Sequence, residues 1–224
     1  MGFPWVARYG LRELVLFGLG LGSVACILAT VNPYLALIPI APYLFILYFF
    51  RDPVRRIPEG ETLLVSPADG RILEVSDVEE TTYLHEPCVK VAIFLSVMNV
   101  HVNRAPIAGE VSQSVYRRGA FKHAASDAAA TLNESNEVVF RSGELETAVL
   151  MRQVAGAAAR RIVFIPTVGT AVRRGEKVGM IKLGSRTEVF VPRSKVDEIR
   201  VKPSDMVKGG ESVLAVLKSR GAGA

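Results

Sequence analysis

Residues 179–192 read GMIKLGSRTEVFVP, and two strand-like runs in this region enclose a pair of small residues. The runs, residues 178–183 and 189–191, are apolar and rich in β-branched side chains, a composition that predicts β-strands. A glycine inside a strand pattern indicates a bend or a close backbone approach. Because Gly184 has no side chain, its carbonyl can be brought against the hydroxyl of Ser185. Attack of that hydroxyl on the carbonyl carbon would replace the amide with an ester.

Elimination of such an ester would leave dehydroalanine at residue 185, and hydrolysis would convert it into a pyruvoyl group on a new chain end. The dipeptide alone does not establish this chemistry. A small polar residue on the solvent face of a strand is the commoner reason for a Gly-Ser pair. The motifs elsewhere in the chain therefore decide the interpretation.

Three motifs precede LGSR at residues 183–186, namely SPADG at 66–70, MNVHVNRAP at 98–106 and NESN at 133–136. In this order they resemble the short form of phosphatidylserine decarboxylase, a pyruvoyl enzyme made as a proenzyme. The likeness extends from about residue 50 to about residue 215.

The resemblance implies cleavage between Gly184 and Ser185 into chains 1–184 and 185–224. Ser185 would become the pyruvoyl group, the cofactor that forms a Schiff base with the amine of phosphatidylserine. Loss of CO2 would give phosphatidylethanolamine, with no metal and no diffusible cofactor. The expected partners are the lipid, an anionic membrane surface and the other cleavage chain, with a higher oligomer left open.

His101 follows an apolar run, so it is predicted at a strand end, and histidine can pass protons in both directions near neutral pH. The family carries a histidine here, whereas its longer subfamily has a second histidine at the position of Arg104. Asp69 lies in a turn, where aspartate commonly caps its own backbone. By resemblance, Asp69, His101 and Ser185 would act as orienting carboxylate, base and nucleophile. Two alternatives stay open: His101 serves both self-cleavage and turnover, or self-cleavage needs only backbone strain and backbone hydrogen-bond donors.

Arg104 and Arg186 are candidates for binding the substrate phosphate or carboxylate, because guanidinium groups match oxyanions. The alternative is a solvated basic surface facing anionic lipid. His123 is a further candidate for lining the pocket, since it lies close in sequence to the NESN motif.

The N-terminus contains two apolar runs, residues 14–31 and 34–50, separated by Asn32 and Pro33. The first is long enough to reach across a bilayer, and basic residues lie at both outer ends. Residues 1–56 are therefore predicted to form a membrane hairpin. A re-entrant or monotopic hairpin and a signal peptide are the alternatives. The expected location is the cell membrane, with the catalytic domain on the cytoplasmic side.

Residues 57–224 are predicted to form a mainly β decarboxylase domain, because strand patterns alternate with turns. Two similar hairpins, at residues 172–178 and 201–214, resemble those of lipoyl-like domains and indicate a lipoyl-like sandwich or barrel. The net charge of +5 favours an anionic partner, either nucleic acid or an acidic lipid surface. The sequence has no nucleic-acid motif, and its apolar N-terminus favours the lipid surface. Cys26 and Cys88 have no metal-binding spacing and are expected not to form a disulfide.

Two other functions remain open at this stage. A membrane-anchored serine hydrolase could use uncleaved Ser185 with His101, although GSR lacks the glycine pattern of a nucleophile elbow. A non-enzymatic, lipoyl-like membrane-tethered module is the other, although no lysine lies in an obvious swinging-arm hairpin.

Overall fold

The structure is a computed structural model that describes residues 5–120, 132–156, 161–182 and 185–219. Its contacts divide the chain into two compact units, Met1–Val54 and Arg55–Ala224. The first unit is helical and the second is built mainly of β-strands. The mainly β class with an apolar N-terminal segment is therefore confirmed.

The first unit is a helical hairpin. It contains the helices α1 (Leu11–Val31) and α2 (Ile40–Phe49), with 3-10 turns at Arg8–Gly10 and Pro33–Leu37. Asn32 ends α1, and its side-chain oxygen accepts a hydrogen bond of 2.9 Å from the backbone N–H of Tyr34. The outer ends are joined, because the N–H of Ala7 donates to the carbonyl of Phe50 at 2.7 Å. The chain therefore leaves the hairpin at the end where it entered.

The surface of this hairpin is apolar. The segment Arg8–Val31 is long and apolar enough to cross a membrane, by length and composition alone, with a mean hydropathy of 2.3. The shorter segment Pro33–Phe49 is apolar too. Large hydrophobic side chains are exposed on both arms: Val15, Leu16, Phe17, Leu19, Val24, Ile27, Val31, Leu37, Ile38, Ile40, Leu44, Phe45 and Tyr48. Such a surface is typical of a segment that contacts lipid.

The second unit contains the strands β1 (Leu63–Val65), β2 (Gly70–Glu80), β3 (Glu86–Leu95), β4 (Val102–Arg104), β5 (Gly109–Arg117), β6 (Ser135–Ser142), β7 (Thr147–Ala155), β8 (Arg161–Phe164), β9 (Ala171–Val172), β10 (Lys177–Lys182), β11 (Ser185–Pro192), β12 (Val196–Ile199), β13 (Met206–Val207) and β14 (Val213–Leu217). A 3-10 turn, Arg193–Lys195, precedes β12. In the described ranges the strands form an eight-stranded sheet, β13-β2-β3-β11-β7-β6-β5-β9, and two three-stranded sheets, β1-β14-β12 and β4-β10-β8.

Strand β11 lies inside the large sheet, paired antiparallel with β3 and β7. Successive side chains of a strand point to opposite faces. Val189 and Val191 of β11 belong to the main hydrophobic core, so Ser185 and Thr187 point to the same side. Phe190 belongs to a second buried cluster on the other face. Both faces of β11 are therefore buried, and every one of its residues is buried.

Candidate active site

Ser185 is the first residue of β11 and is paired with Leu95 of β3 and Ala155 of β7. Its exposed fraction is 0%, and its Oγ atom has no hydrogen-bond partner within the described residues. A buried hydroxyl without a partner costs about 1–3 kcal/mol, so such groups are rare and require an explanation. A reactive role is one explanation. Gly184, the other half of the predicted cleavage site, lies outside the described residues.

His101 is fully buried directly before β4, and its Nδ1 atom lies 2.9 Å from the carbonyl oxygen of Asn99. A carbonyl can only accept, so this hydrogen bond requires the proton on Nδ1. In the neutral ring the Nε2 atom then carries the lone pair and can act as a base.

A turn built by Asn99 fixes the loop before His101. The Asn99 side-chain oxygen accepts hydrogen bonds from the backbone N–H of Ser96 at 2.9 Å and from its hydroxyl at 2.8 Å. The backbone N–H of Asn99 donates to the carbonyl of Ser96 at 2.9 Å. Because the turn is closed from both sides, the Asn99 carbonyl is held at a defined place for the histidine ring.

The fold brings the His101 segment to the end of the strand that leads to Ser185. The backbone N–H of Ile181 in β10 donates to the carbonyl of His101 at 3.2 Å. Ile181 forms a buried cluster with Ala155, and Ala155 is the cross-strand neighbour of Ser185. Ile162 packs against the same cluster. The two predicted residues are therefore connected through the packed pair Ile181 and Ala155.

Asp69 has contacts that the sequence did not indicate. Its carboxylate accepts a hydrogen bond from Arg55 at 2.7 Å and from the backbone N–H of Gly209 at 2.8 Å. Arg55 lies 3.4 Å from Glu211 as well. The Nδ1 atom of His101, the usual place for an orienting carboxylate, faces the carbonyl of Asn99. A role of Asp69 in self-cleavage stays a prediction.

The two candidate arginines lie in different surroundings. Arg104 is buried in β4, and its guanidinium donates to the carbonyl of Gly175 at 2.9 Å. Arg186 is 3% exposed and lies on the face of β11 opposite Ser185, with Glu188 at 2.7 Å and Glu74 at 3.7 Å. Both roles in substrate binding stay predictions. His123 lies outside the described residues.

Arg186 belongs to a row of charges that crosses the sheet. Arg152 of β7 contacts Glu137 at 2.9 Å and Glu188 at 3.2 Å. Burial raises the pKa of Glu137, but hydrogen bonds from Tyr83 and Arg117 and the charges of Arg152 and Arg117 outweigh it, so the pKa is lowered overall. The neighbouring donors and positive charges therefore stabilise the charged form of Glu137.

A cavity of about 420 Å³ opens beside the cluster next to Ser185. Ile162 lines it and also packs with Ala155 and Ile181. The remaining lining is apolar with a few hydroxyls and one amide: Ser114, Tyr116, Asn136, Phe164, Ile165, Pro166, Thr167 and Val168. Within the described ranges, no group of three or more His, Cys, Asp and Glu side chains could hold a metal ion.

Comparison with known proteins identifies the family of the chain. The sequence model of a family described as phosphatidylserine decarboxylase matches residues 43–215. The chain belongs to the phosphatidylserine decarboxylase family. The family predicted from the four motifs is thus confirmed, and neither a serine hydrolase nor a binding module is favoured.

Similar members of the phosphatidylserine decarboxylase family match most of the chain. A phosphatidylserine decarboxylase proenzyme of Carboxydothermus hydrogenoformans is 41% identical over 92% of this chain and 96% of its own length. A phosphatidylserine decarboxylase proenzyme of Syntrophus aciditrophicus is 40% identical over 95% of this chain and 98% of its own length. A phosphatidylserine decarboxylase proenzyme of Symbiobacterium thermophilum is 44% identical over 78% of this chain and 80% of its own length.

Proposed function

We propose that this chain decarboxylates phosphatidylserine to phosphatidylethanolamine with a pyruvoyl group made from its own Ser185. Membership of the decarboxylase family supports the reaction. One observation carries the choice of residue: the Ser185 hydroxyl is fully buried and has no hydrogen-bond partner within the described residues. An unsolvated hydroxyl beside a glycine carbonyl suits attack on that carbonyl.

Self-cleavage begins when the Nε2 atom of His101 takes the proton of the Ser185 hydroxyl and the oxygen attacks the carbonyl carbon of Gly184. The C–N bond breaks, the nitrogen takes up a proton, and an ester joins the two parts. Loss of the α-proton of residue 185 expels the Gly184 carboxylate and leaves dehydroalanine. Its imine tautomer adds water and releases ammonia, which leaves the pyruvoyl group.

The sheet supports a stable complex of the two products. Residues 185–224 supply β11, β12, β13 and β14. Strand β11 pairs with β3 and β7, β13 pairs with β2, and β14 pairs with β1, all of which lie in the larger product. Backbone hydrogen bonds and a shared core therefore hold the chains together without a covalent link.

In turnover, the pyruvoyl ketone supplies the electron-accepting group that binds the amine of the substrate. The task left to the protein is to exclude water and return a proton. Because Nδ1 of His101 is fixed on the Asn99 carbonyl, Nε2 is the nitrogen that delivers a proton to the α-carbon that has lost CO2. The cavity beside Ile162 offers an apolar route for the lipid.

The helical hairpin holds the enzyme at the bilayer that contains its two-chain lipid substrate. Helix α1 has 21 residues, so it is about 31 Å long and matches a hydrocarbon core of about 30 Å. The hydrogen bond between Ala7 and Phe50 closes the hairpin, so both of its ends lie on one side. The excess of basic residues near these ends in the sequence supports a cytoplasmic location for that side: Arg8, Arg12, Arg51, Arg55 and Arg56.

The test is the mass of the purified full-length chain. We expect the 24.3 kDa chain to appear as fragments of roughly 20 and 4 kDa, because a single bond breaks and no other covalent link is formed. The small fragment should lack a free N-terminal amine. Ser185→Ala should remain whole and inactive, whereas Ser194→Ala, an exposed serine of the same fragment, should be cleaved normally. Intact, active protein would exclude the proposal.

A further inference from the structure

Asn103 makes hydrogen bonds to three segments that are distant in sequence. It lies in β4 and is fully buried. Its side-chain nitrogen lies 3.3 Å from the hydroxyl of Thr187 and 3.4 Å from the carbonyl of Pro67. Its side-chain oxygen accepts a hydrogen bond of 2.9 Å from Gln153. One side chain therefore joins β4, β11, β7 and the turn before β2.

Asn103 and its three partners each lie two residues from a predicted site residue or from a strand neighbour of Ser185. Asn103 itself is two residues after His101, and Thr187 is two residues after Ser185 on the same face of β11. Gln153 is two residues before Ala155, which is paired with Ser185. Pro67 is two residues before Asp69.

The hydrogen bonds have only one consistent direction. The carbonyl of Pro67 can only accept, so Asn103 must present its NH2 group there and its oxygen to Gln153. The oxygen of Gln153 in turn accepts from the amide of Asn136 at 3.0 Å. Each buried amide thus fixes the orientation of the next, which makes the arrangement rigid.

Stability alone does not account for these buried amides. Replacing hydrogen-bonded partners with apolar groups of the same shape is often neutral or stabilising, whereas leaving one partner unsatisfied is costly. What the amides supply is geometry, because a hydrogen bond fixes distance and direction. Reaction rates depend on such geometry more steeply than stability does, since a shift of about 1 Å can cost about a hundredfold in rate.

We propose that Asn103 is a positioning residue that holds the His101 segment against β11, so that the histidine meets the Ser185 hydroxyl for self-cleavage. The inference rests on the proposed function. Asn103 touches neither reacting group through the hydrogen bonds described above, and it acts through His101 and Thr187.

The test follows self-cleavage of full-length protein synthesised into nanodiscs, with the folded fraction measured by resistance to protease. Asn103→Leu keeps the approximate volume of the side chain and removes its hydrogen bonds. We expect the folded fraction of this variant to cleave about a hundredfold more slowly. Ser142→Ala, which removes a buried hydrogen bond at the far end of β6, should cleave at the wild-type rate.

Hydroxylamine identifies the step that is slowed in the folded molecules, because it cleaves an ester but not a peptide bond. In the wild type it should trap the ester as a hydroxamate at Gly184 and a free amine at Ser185. In folded Asn103→Leu this product should decrease in parallel with cleavage, because the ester forms slowly. If Asn103→Leu does not fold, the same measurement is made on Gln153→Met, which removes the 2.9 Å hydrogen bond from Gln153 to Asn103. We expect the folded fraction of this variant to cleave about tenfold more slowly.

Wild-type cleavage in a folded variant, or loss of cleavage only in proportion to the folded fraction, would overturn the role of Asn103. The proposed function would survive that result, since Ser185 would still be processed. Failure of the unmodified chain to cleave would instead overturn the proposed function.

Discussion

The two faces of β11 differ sharply although their residues alternate along one strand. The Ser185 face carries neutral side chains, with amides that bond to one another and a serine hydroxyl that has no partner within the described residues. The Arg186 face carries charges that form ion pairs, within β11 between Arg186 and Glu188 and with Arg152 of the neighbouring strand β7. Arg186 Nε and Glu188 Oε1 have no hydrogen-bond partner within the described residues, but both belong to groups held in these ion pairs. Both faces are buried. Burial alone therefore does not mark a reactive group, and the way in which a polar group is satisfied is more informative.

This contrast assigns different tasks to the faces. We expect changes on the Ser185 face to affect the chemistry, because the hydroxyl is available to react. Changes on the Arg186 face should affect stability, because each charge there has a partner that would be left buried and unpaired. Three predictions test this division, in order of the size of the expected effect.

The largest effect should follow from His101→Ala. A general acid or base is typically worth about a hundred- to ten-thousand-fold in rate, so turnover of phosphatidylserine by cleaved protein should decrease by about that factor. His85→Ala, an exposed histidine, is the matched control and should have normal turnover. Slower cleavage at Ser185 in the His101 variant would show that the same group serves both steps. A cleaved His101→Ala protein with near-normal turnover would exclude His101 from the mechanism.

Glu188→Gln should destabilise the fold and leave cleavage of folded molecules within a few-fold of the wild type. The change removes the negative charge that lies 2.7 Å from Arg186 and 3.2 Å from Arg152. Breaking a buried pair costs about 3–5 kcal/mol, and we expect the lower value because Glu74 and Glu137 remain nearby. The loss of stability would be measured by urea unfolding in detergent, with and without Glu188→Gln, in full-length protein that carries Ser185→Ala and so remains uncleaved.

The control for Glu188 is Glu198→Gln, which breaks an exposed pair with Arg200 at 2.9 Å. We expect less than about 1 kcal/mol, because exposed ion pairs contribute little. If Glu188→Gln stopped cleavage without changing stability, the assignment of tasks to the two faces would be wrong.

The smallest effect concerns pH. Despite the opposing effect of burial, hydrogen bonds from Tyr83 and Arg117 and nearby positive charges lower the pKa of Glu137 below its ordinary value of 4.5. A carboxylate with a lower pKa in the folded state stabilises the fold above the unfolded value, and this contribution is lost as pH falls through the folded value. Glu137→Gln should therefore flatten the decrease in melting temperature below pH 4.5, whereas the exposed Glu144→Gln should not. Equal slopes in all three proteins would show that Glu137 contributes nothing to acid unfolding.

The sequence predicted features that depend on local pattern. The apolar N-terminal runs and the mainly β class follow from composition and from the alternation of side chains along a strand. The run predicted at residues 189–191 is only part of β11, which begins four residues earlier at Ser185. The four motifs identified the family because their residue types and order are specific. The same alternation places Arg186 opposite Ser185, so this difference could have been read from the sequence.

The partners of the site residues could not be predicted in this way. Asn103 meets Thr187 across 84 residues and Pro67 across 36, and Asp69 meets Gly209 across 140. The sequence suggested Asp69 as the orienting group, yet the carbonyl of Asn99 lies at the Nδ1 atom of His101.

The sequence by itself determined the family, the strand pattern and the residues able to carry the chemistry. The tertiary structure decided which of them are neighbours and which polar atoms are satisfied. The reason is that side-chain alternation is a property of a single strand, whereas contacts between strands depend on register, and a shift of one residue would exchange the two faces.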